Sequence, residues 1–314
     1  MYTATKQIAP NCGSSFPIAL LIPCLEGRPY TEETLSSLKG IIDLFDYIII
    51  SVNGLSTKRI QLICTAINLE IGKNHTILCT EKRLTYTMHL EFLRRKIRTI
   101  LPPNAWLLFL ADDDLLASRP NLINYLQLFR HANLDQVGMG NFMSFSKPDL
   151  PTKSEKQHIA PGESISPLQF LRRNEAGHLF TNISTMIVPH MVFSDCHAFM
   201  SSFRSVGRRT EYIWATHRNI KKLICPQAPT VLIRDHPSQE GRTQSFNALL
   251  RDELIYYGWI WRNQPLLRPW NNNKNNSYFT FKRFFLTLCD LVKCQFNQLS
   301  HHKRHAITNG TVNS

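Results

Sequence analysis

No part of this 314-residue chain approaches the roughly 18 to 20 consecutive apolar residues of a membrane-spanning helix, so no span is expected. There is no C-x-x-C pair. The eight cysteines, at 12, 24, 64, 79, 196, 225, 289 and 294, are scattered, and several fall within apolar runs. That pattern argues against a disulfide framework or a zinc site and predicts reduced, mostly buried thiols in a cytoplasmic chain. The first apolar segment, residues 16–25, starts late, carries two prolines and lacks a basic start, so no secretory leader is expected. The sequons at Asn74 and Asn182 are then incidental. Internal repeats and a glycine-rich phosphate loop are also missing. Acidic residues are scarce, 23 against 36 Lys and Arg, for a formal net charge of +13. The excess favours anionic partners such as nucleotides, phospholipid surfaces or nucleic acid, without choosing among them. With 43% hydrophobic residues the chain can bury a sizeable core, which excludes overall disorder.

What the chain does have is an apolar run over residues 104–116 that ends abruptly in Asp112, Asp113 and Asp114. Rich in Leu and aromatics and bounded by Pro102, Pro103 and Pro120, it reads as a strand buried on both faces. Ligands bind at the C-terminal edge of open α/β sheets, and three adjacent carboxylates there are unfavourable unless positive charge offsets them. A divalent cation holding a phosphorylated substrate meets that need. The plain alternative is a solvated turn that caps a helix starting near Arg119.

The units before the triplet repeat as strand, loop and helix. Residues 17–25 form a strand, Thr31 with Glu32 and Glu33 starts a helix, and Leu35, Leu38, Ile41, Ile42 and Phe45 mark its apolar face. Residues 47–52 give a strand ending at Asn53 and Gly54, followed by a helix through Ile60, Ile63, Ile67 and Ile71. Residues 76–80 form a third strand, and a helix follows over 86–100. This alternation predicts an α/β fold with a mainly parallel central sheet and helices on both faces. The strand ends at Pro23, Asn53, Thr80 and Asp112 then share one edge.

Beyond the triplet the sequence predicts a helix through Leu122 and Phe129 and one strand over 136–145. A polar loop over 146–162, a helix over 167–173, a strand over 182–188 and a helix over 189–200 follow. A helix containing Glu211 and a last strand over 230–234 complete this half. Residues 1–15 read as a flexible lead-in, 16–116 as a nucleotide half, 117–242 as an acceptor half and 243–276 as a helix with an Asn-rich turn. Residues 277–314 read as a basic amphipathic C-terminal helix and tail. With Phe281, Phe284 and Phe285 on one face and Lys282, Arg283 and Lys293 opposite, that helix fits an anionic membrane surface on the inner face, or a packed helix with a solvated basic side.

The order of features over residues 16–240 resembles the inverting family 2 glycosyltransferases of the GT-A fold. The carriers are Ile22-Pro23, Val52-Asn53-Gly54 and, above all, the run from Phe109 through the three Asp residues to Leu115, which is similar to the family's D-x-D strand end. The resemblance implies a nucleotide-diphosphate sugar donor, Mn²⁺ or Mg²⁺, a carbohydrate or lipid-linked acceptor, and a carboxylate that deprotonates the acceptor hydroxyl. It assigns Asp112 and Asp114 to the metal, Asp112 also to the ribose, and leaves Asp113 on the nucleotide side. Pro23, Cys24, Glu26 and Asn53 match the nucleotide slot, with Asn53 where the family often has Asp. Arg83 could meet a phosphate. Glu211 matches the base position, the usual Glu-Asp pair being reduced to Thr210-Glu211, with Asp195 in reserve. His236 and Arg242 match a loop that supplies a metal ligand and a phosphate clamp.

Two other readings account for part of the pattern. A nucleotidyltransferase of related architecture shares the carboxylate strand end. A basic nucleic-acid-binding protein accounts for the charge and for Trp259 and Trp261 beside Arg262, but not for the triplet, and nucleic acid is not the expected partner.

Overall fold

Strand β1 (Ile18–Leu25) is apolar on both faces because both faces are covered. Ala19 and Leu21 join one core cluster, while Ile18, Leu20 and Ile22 join the other. β4 (Trp106–Phe109) is built the same way, with Leu107 and Phe109 on one side and Trp106 and Leu108 on the other. Such near-continuous hydrophobic runs are what a two-faced buried sheet demands. In this computed structural model the described residues are 15–25, 28–54, 57–70, 74–145, 152–153, 162–175, 182–196, 210–235 and 246–263, with Phe285 and Cys289. Glu26, His236, Arg242 and nearly all of the C-terminal basic segment lie outside them.

The eight-stranded sheet has the order β3-β2-β1-β4-β10-β6-β11-β9. Its first half is parallel, formed by β3 (His75–Cys79), β2 (Tyr47–Asn53), β1 and β4. α1 (Thr31–Ser36), α2 (Lys58–Ala66) and α3 (Tyr86–Ile100) connect these strands. The second half is mixed, because β10 (Met186–Pro189) runs antiparallel to both β4 and β6 (Gln136–Met139). β11 (Lys222–Ile224) pairs parallel with β6 and antiparallel with β9 (Ser164–Ile165).

A second sheet, ordered β5-β12-β7-β8, is made of β5 (Leu115–Leu116), β7 (Asn141–Phe145), β8 (Thr152–Lys153) and β12 (Pro229–Arg234). The expected single strand over 136–145 is therefore two strands in two sheets, divided at Gly140. A Cβ on Gly140 would lie 2.1 Å from Thr230 Oγ1 and 3.1 Å from the Thr185 carbonyl oxygen. Only glycine lets the two sheets approach this closely.

α1, α2 and α4 (Arg119–Arg130) cover one face of the large sheet through Leu35, Ile63 and Phe129. α3, α5 (Pro167–Glu175), α6 (His190–Asp195), α7 (Thr210–Ala215) and α8 (Phe246–Asn263) cover the other through Leu93, Phe170, Phe193, Trp214 and Trp259. α1 is shorter than its apolar pattern implied. It stops at Ser36, and the chain continues as turns and a 3-10 turn at Ile42–Leu44. No described helix is long and apolar enough to cross a membrane.

Candidate active site

The acidic triplet leaves β4 at the edge where β1 and β2 also end. Leu110 N–H donates to the Leu21 carbonyl and keeps the chain in register one residue past the strand. The chain then turns, with Asp114 N–H donating to the Ala111 carbonyl, and enters β5. Ser118 is the N-cap of α4, so β5 separates the triplet from the helix and the carboxylates do not cap it.

The three side chains have different surroundings. Asp112 Oδ2 accepts from Leu25 N–H at 2.7 Å, which joins the triplet to the end of β1. Burial pushes the Asp112 carboxyl up to about 6, against the pull of the Leu25 N–H and Arg28. Asp113 is the half-buried member. Its Oδ2 lies 3.3 Å from an Arg28 guanidinium nitrogen, which is also 4.0 Å from Asp112 Oδ1. Asp114 is 2% exposed, and each of its oxygens is occupied. Oδ2 accepts from Ser184 Oγ at 2.6 Å and Oδ1 from Arg234 N–H at 3.0 Å. Its carboxyl is raised well above the usual range, first by burial and then by the neighbouring Asp113.

Arg234, the last residue of β12, holds the turn from the second sheet. Its Nε donates to the Asp113 carbonyl at 3.0 Å, and its guanidinium ion-pairs with Glu33 of α1. The guanidinium carbon lies 4.3 Å from the Tyr30 ring centroid and 4.5 Å from that of Phe145. Arg28, Glu33, Ser184 and Arg234 are absent from the site read in the sequence. Arg28 had a visible signal, being the first cation after β1. Ser184 and Arg234 had none, since a hydroxyl in a 3-10 turn and the end residue of a strand reach the triplet only through the tertiary fold.

On the β2 side, Asn53 is 4% exposed and its amide is engaged with the backbone of Leu84. Oδ1 accepts from Leu84 N–H at 2.7 Å and Nδ2 donates to the Leu84 carbonyl at 2.8 Å. Thr80 Oγ1 accepts from Gly54 N–H at 3.0 Å and donates to the Lys82 carbonyl. These bonds fasten residues 80–85, where Arg83 is exposed, to the end of β2. Pro23 and Cys24 are buried in β1, with the Cys24 thiol pushed well up by burial, so their backbone is what they offer to a slot.

On the other side, Glu211 lies in the first turn of α7 and is 8% exposed. Asp195 ends α6 with half of its side chain in solvent, 3.8 Å from His217 Nε2. Among the described residues no group of three or more His, Cys, Asp or Glu is arranged to hold a metal.

No family model matches the chain, and no curated protein does. Solved structures do. The S. aureus TarS 1-349 structure aligns at a TM-score of 0.56 and 11% identity, covering 86% of this chain and 71% of that one. A second S. aureus TarS structure aligns at 0.54 and 11% identity over 79% of this chain, which spans 40% of that structure's length. A structure of GalNAc-T7 with UDP, GalNAc and Mn²⁺ aligns at 0.49 and 10% identity, over 86% of this chain and 55% of that one. The architecture of this chain, a large mixed sheet with helices on both faces, is that of the GT-A glycosyltransferases.

Proposed function

We propose that this chain moves a sugar from a nucleotide-diphosphate donor to a carbohydrate or lipid-linked acceptor, with inversion at the anomeric carbon, in the synthesis of a surface polysaccharide or other glycoconjugate. The observation that carries the reading is the placement of Asp112 and Asp113 at the C-terminal edge of β4, beside the end of β1, in a GT-A fold. Open α/β sheets bind ligands at this edge.

The residues present fit a divalent cation. Asp113 is half-buried, and Asp112 is a carboxylate whose ionised form burial disfavours, so a cation beside the pair would favour that form. Asp112 and Asp113 would hold Mn²⁺ or Mg²⁺, both hard cations suited to carboxylate oxygen. The bound cation supplies charge neutralisation for the departing diphosphate. Both Asp114 oxygens accept a protein hydrogen bond, so Asp114 anchors the turn and, through its remaining lone pairs, stands second to Asp112 and Asp113 as a ligand of the cation. His236 and Arg242 remain assigned to the cation and the diphosphate, and Arg83 to a phosphate.

The chain's own chemistry then needs a base on the acceptor side. Glu211 takes the proton from the acceptor hydroxyl as its oxygen attacks the anomeric carbon and the bond to the nucleotide diphosphate breaks. The β1 and β2 ends, with Pro23, Cys24 and Asn53, shape the nucleotide slot, to which Glu26 is also assigned, and Asn53 acts through the Leu84 loop it fastens. The basic C-terminal segment is assigned to an anionic membrane surface.

The test is a panel of nucleotide sugars incubated with the protein and Mn²⁺, with nucleotide diphosphate release measured. Release from at least one member supports the reading. No binding and no release with any member overturns it, and release of inorganic pyrophosphate in its place would favour nucleotidyl transfer.

A further inference from the structure

Arg234 joins three parts of the molecule that the sequence places far apart. Its backbone N–H binds Asp114 Oδ1, its Nε binds the Asp113 carbonyl, and its terminal nitrogen ion-pairs with Glu33 on the helix after β1. The Arg234 side chain is 5% exposed, and its guanidinium carbon lies over the Tyr30 and Phe145 rings. A planar fork can hold a carboxylate with one edge, a carbonyl with another, and an aromatic ring on each face; an ammonium cannot.

We propose that Arg234 is the positioning residue of the acidic turn. By fixing the Asp113 peptide from the carbonyl side, it sets the direction in which the Asp113 carboxylate leaves the turn. Asp114 is held independently, through the Arg234 N–H and Ser184. The charge of Arg234 is paired with Glu33, whose side chain is partly exposed, so its work is orientation. Its effect on the turn stands on these contacts alone. Its consequence for ligand affinity rests on the nucleotide-sugar reading.

Side-chain substitution leaves the Arg234 N–H in place, so Arg234→Lys and Arg234→Met isolate the guanidinium. Arg234→Lys keeps the charge and guards against a variant that fails to fold. Leu93→Ala, on α3 in the core of the opposite face, serves as a destabilised comparison. Two measurements are made on the full chain. Peptide-level hydrogen exchange over residues 110–117 is expected to speed up about tenfold or more in both Arg234 variants and to stay close to wild type in Leu93→Ala. Calorimetric titration with UDP, GDP, ADP and CDP, each with Mn²⁺, is expected to show at least about tenfold weaker binding of the best member in both Arg234 variants. Unchanged exchange in the Arg234 variants overturns the proposal whatever the titrations show. Raised exchange with wild-type affinity overturns its consequence for the ligand. Raised exchange in a protein whose wild type binds none of the four nucleotides leaves Arg234 as the positioning residue and removes the donor-site reading.

Discussion

Phe109 and Trp214 stack with ring centroids 4.7 Å apart and planes inclined by 28°. Phe109 ends β4 three residues before Asp112, and Trp214 follows Glu211 by three residues on α7. Phe193 closes the cluster at 5.2 Å from Phe109 and 5.8 Å from Trp214. The strand carrying the acidic turn and the helix carrying the candidate base therefore rest on one set of packed rings. Close-packed interiors transmit displacement, so a shift of α7 is felt at β4.

Trp214→Leu is expected to lower stability by about 3 kcal/mol, because a fully buried ring is replaced by a smaller side chain. Turnover should fall by more than about tenfold at temperatures where the variant is folded, through misplacement of Glu211. Urea melts and initial rates on the same preparation check both. Wild-type turnover in a destabilised variant would show that the rings support the fold alone.

Glu211→Gln keeps the shape and removes the proton acceptor. Transfer should slow by about 10² to 10⁴-fold while nucleotide binding is retained. Asp195→Asn should leave transfer within a few-fold, since that side chain stands half in solvent at the end of α6. The opposite ranking would move the base to Asp195.

Asp113 and Asp114 should separate on substitution. Asp113→Asn is expected to weaken Mn²⁺ binding, read by electron paramagnetic resonance, by at least about tenfold with little change in melting temperature. In Asp114→Asn the amide oxygen can still accept from Arg234 N–H, and the amide removes a carboxylate that burial disfavours. Its melting temperature should hold or rise, and its loss of Mn²⁺ binding should be the smaller. Equal loss in the two variants would restore Asp114 as the metal residue that the sequence motif implies.

Acid should destabilise the fold through His89. This side chain is 2% exposed, its Nε2 lies 2.8 Å from Ser51 Oγ, and burial lowers its pKa to about 4. With the folded value below the unfolded one of about 6.5, stability is full above 6.5 and is lost as pH falls toward about 4, because only the unfolded chain takes up the proton. The loss reaches roughly 3 kcal/mol over that window. His89→Gln should flatten this part of the stability profile, measured by urea melts between about pH 7 and pH 4.5. An unchanged slope would assign the acid sensitivity to other groups.

Gly140→Ala should cost about 2 kcal/mol or more, since the new methyl would meet Thr230 Oγ1. Pairing it with Thr230→Ser should recover little of that loss, because the hydroxyl remains. Melting temperatures of the two variants check this, and near-complete recovery would show that the Thr230 methyl, and not its hydroxyl, sets the limit.

The sequence by itself determined the parallel half of the sheet and the place of the carboxylates. β1, β2 and β4 are apolar runs bounded by turn residues, and a strand covered on both faces leaves that mark whatever its neighbours are. The position of Asp112, Asp113 and Asp114 at a strand end follows from the same run. The tertiary structure decided the rest. Whether residues 136–145 made one strand or two depended on their partners, β10 and β11 for one half and β12 for the other, which lie far along the chain. The short strands β5, β9 and β11 owe their existence to partners in distant segments and carry no period of their own. The division of labour within the triplet had the same origin. Three identical side chains became different when Leu25 and Arg28, Ser184, and Arg234 arrived from three other segments, because a carboxylate's role is set by the donors around it and by its exclusion from water.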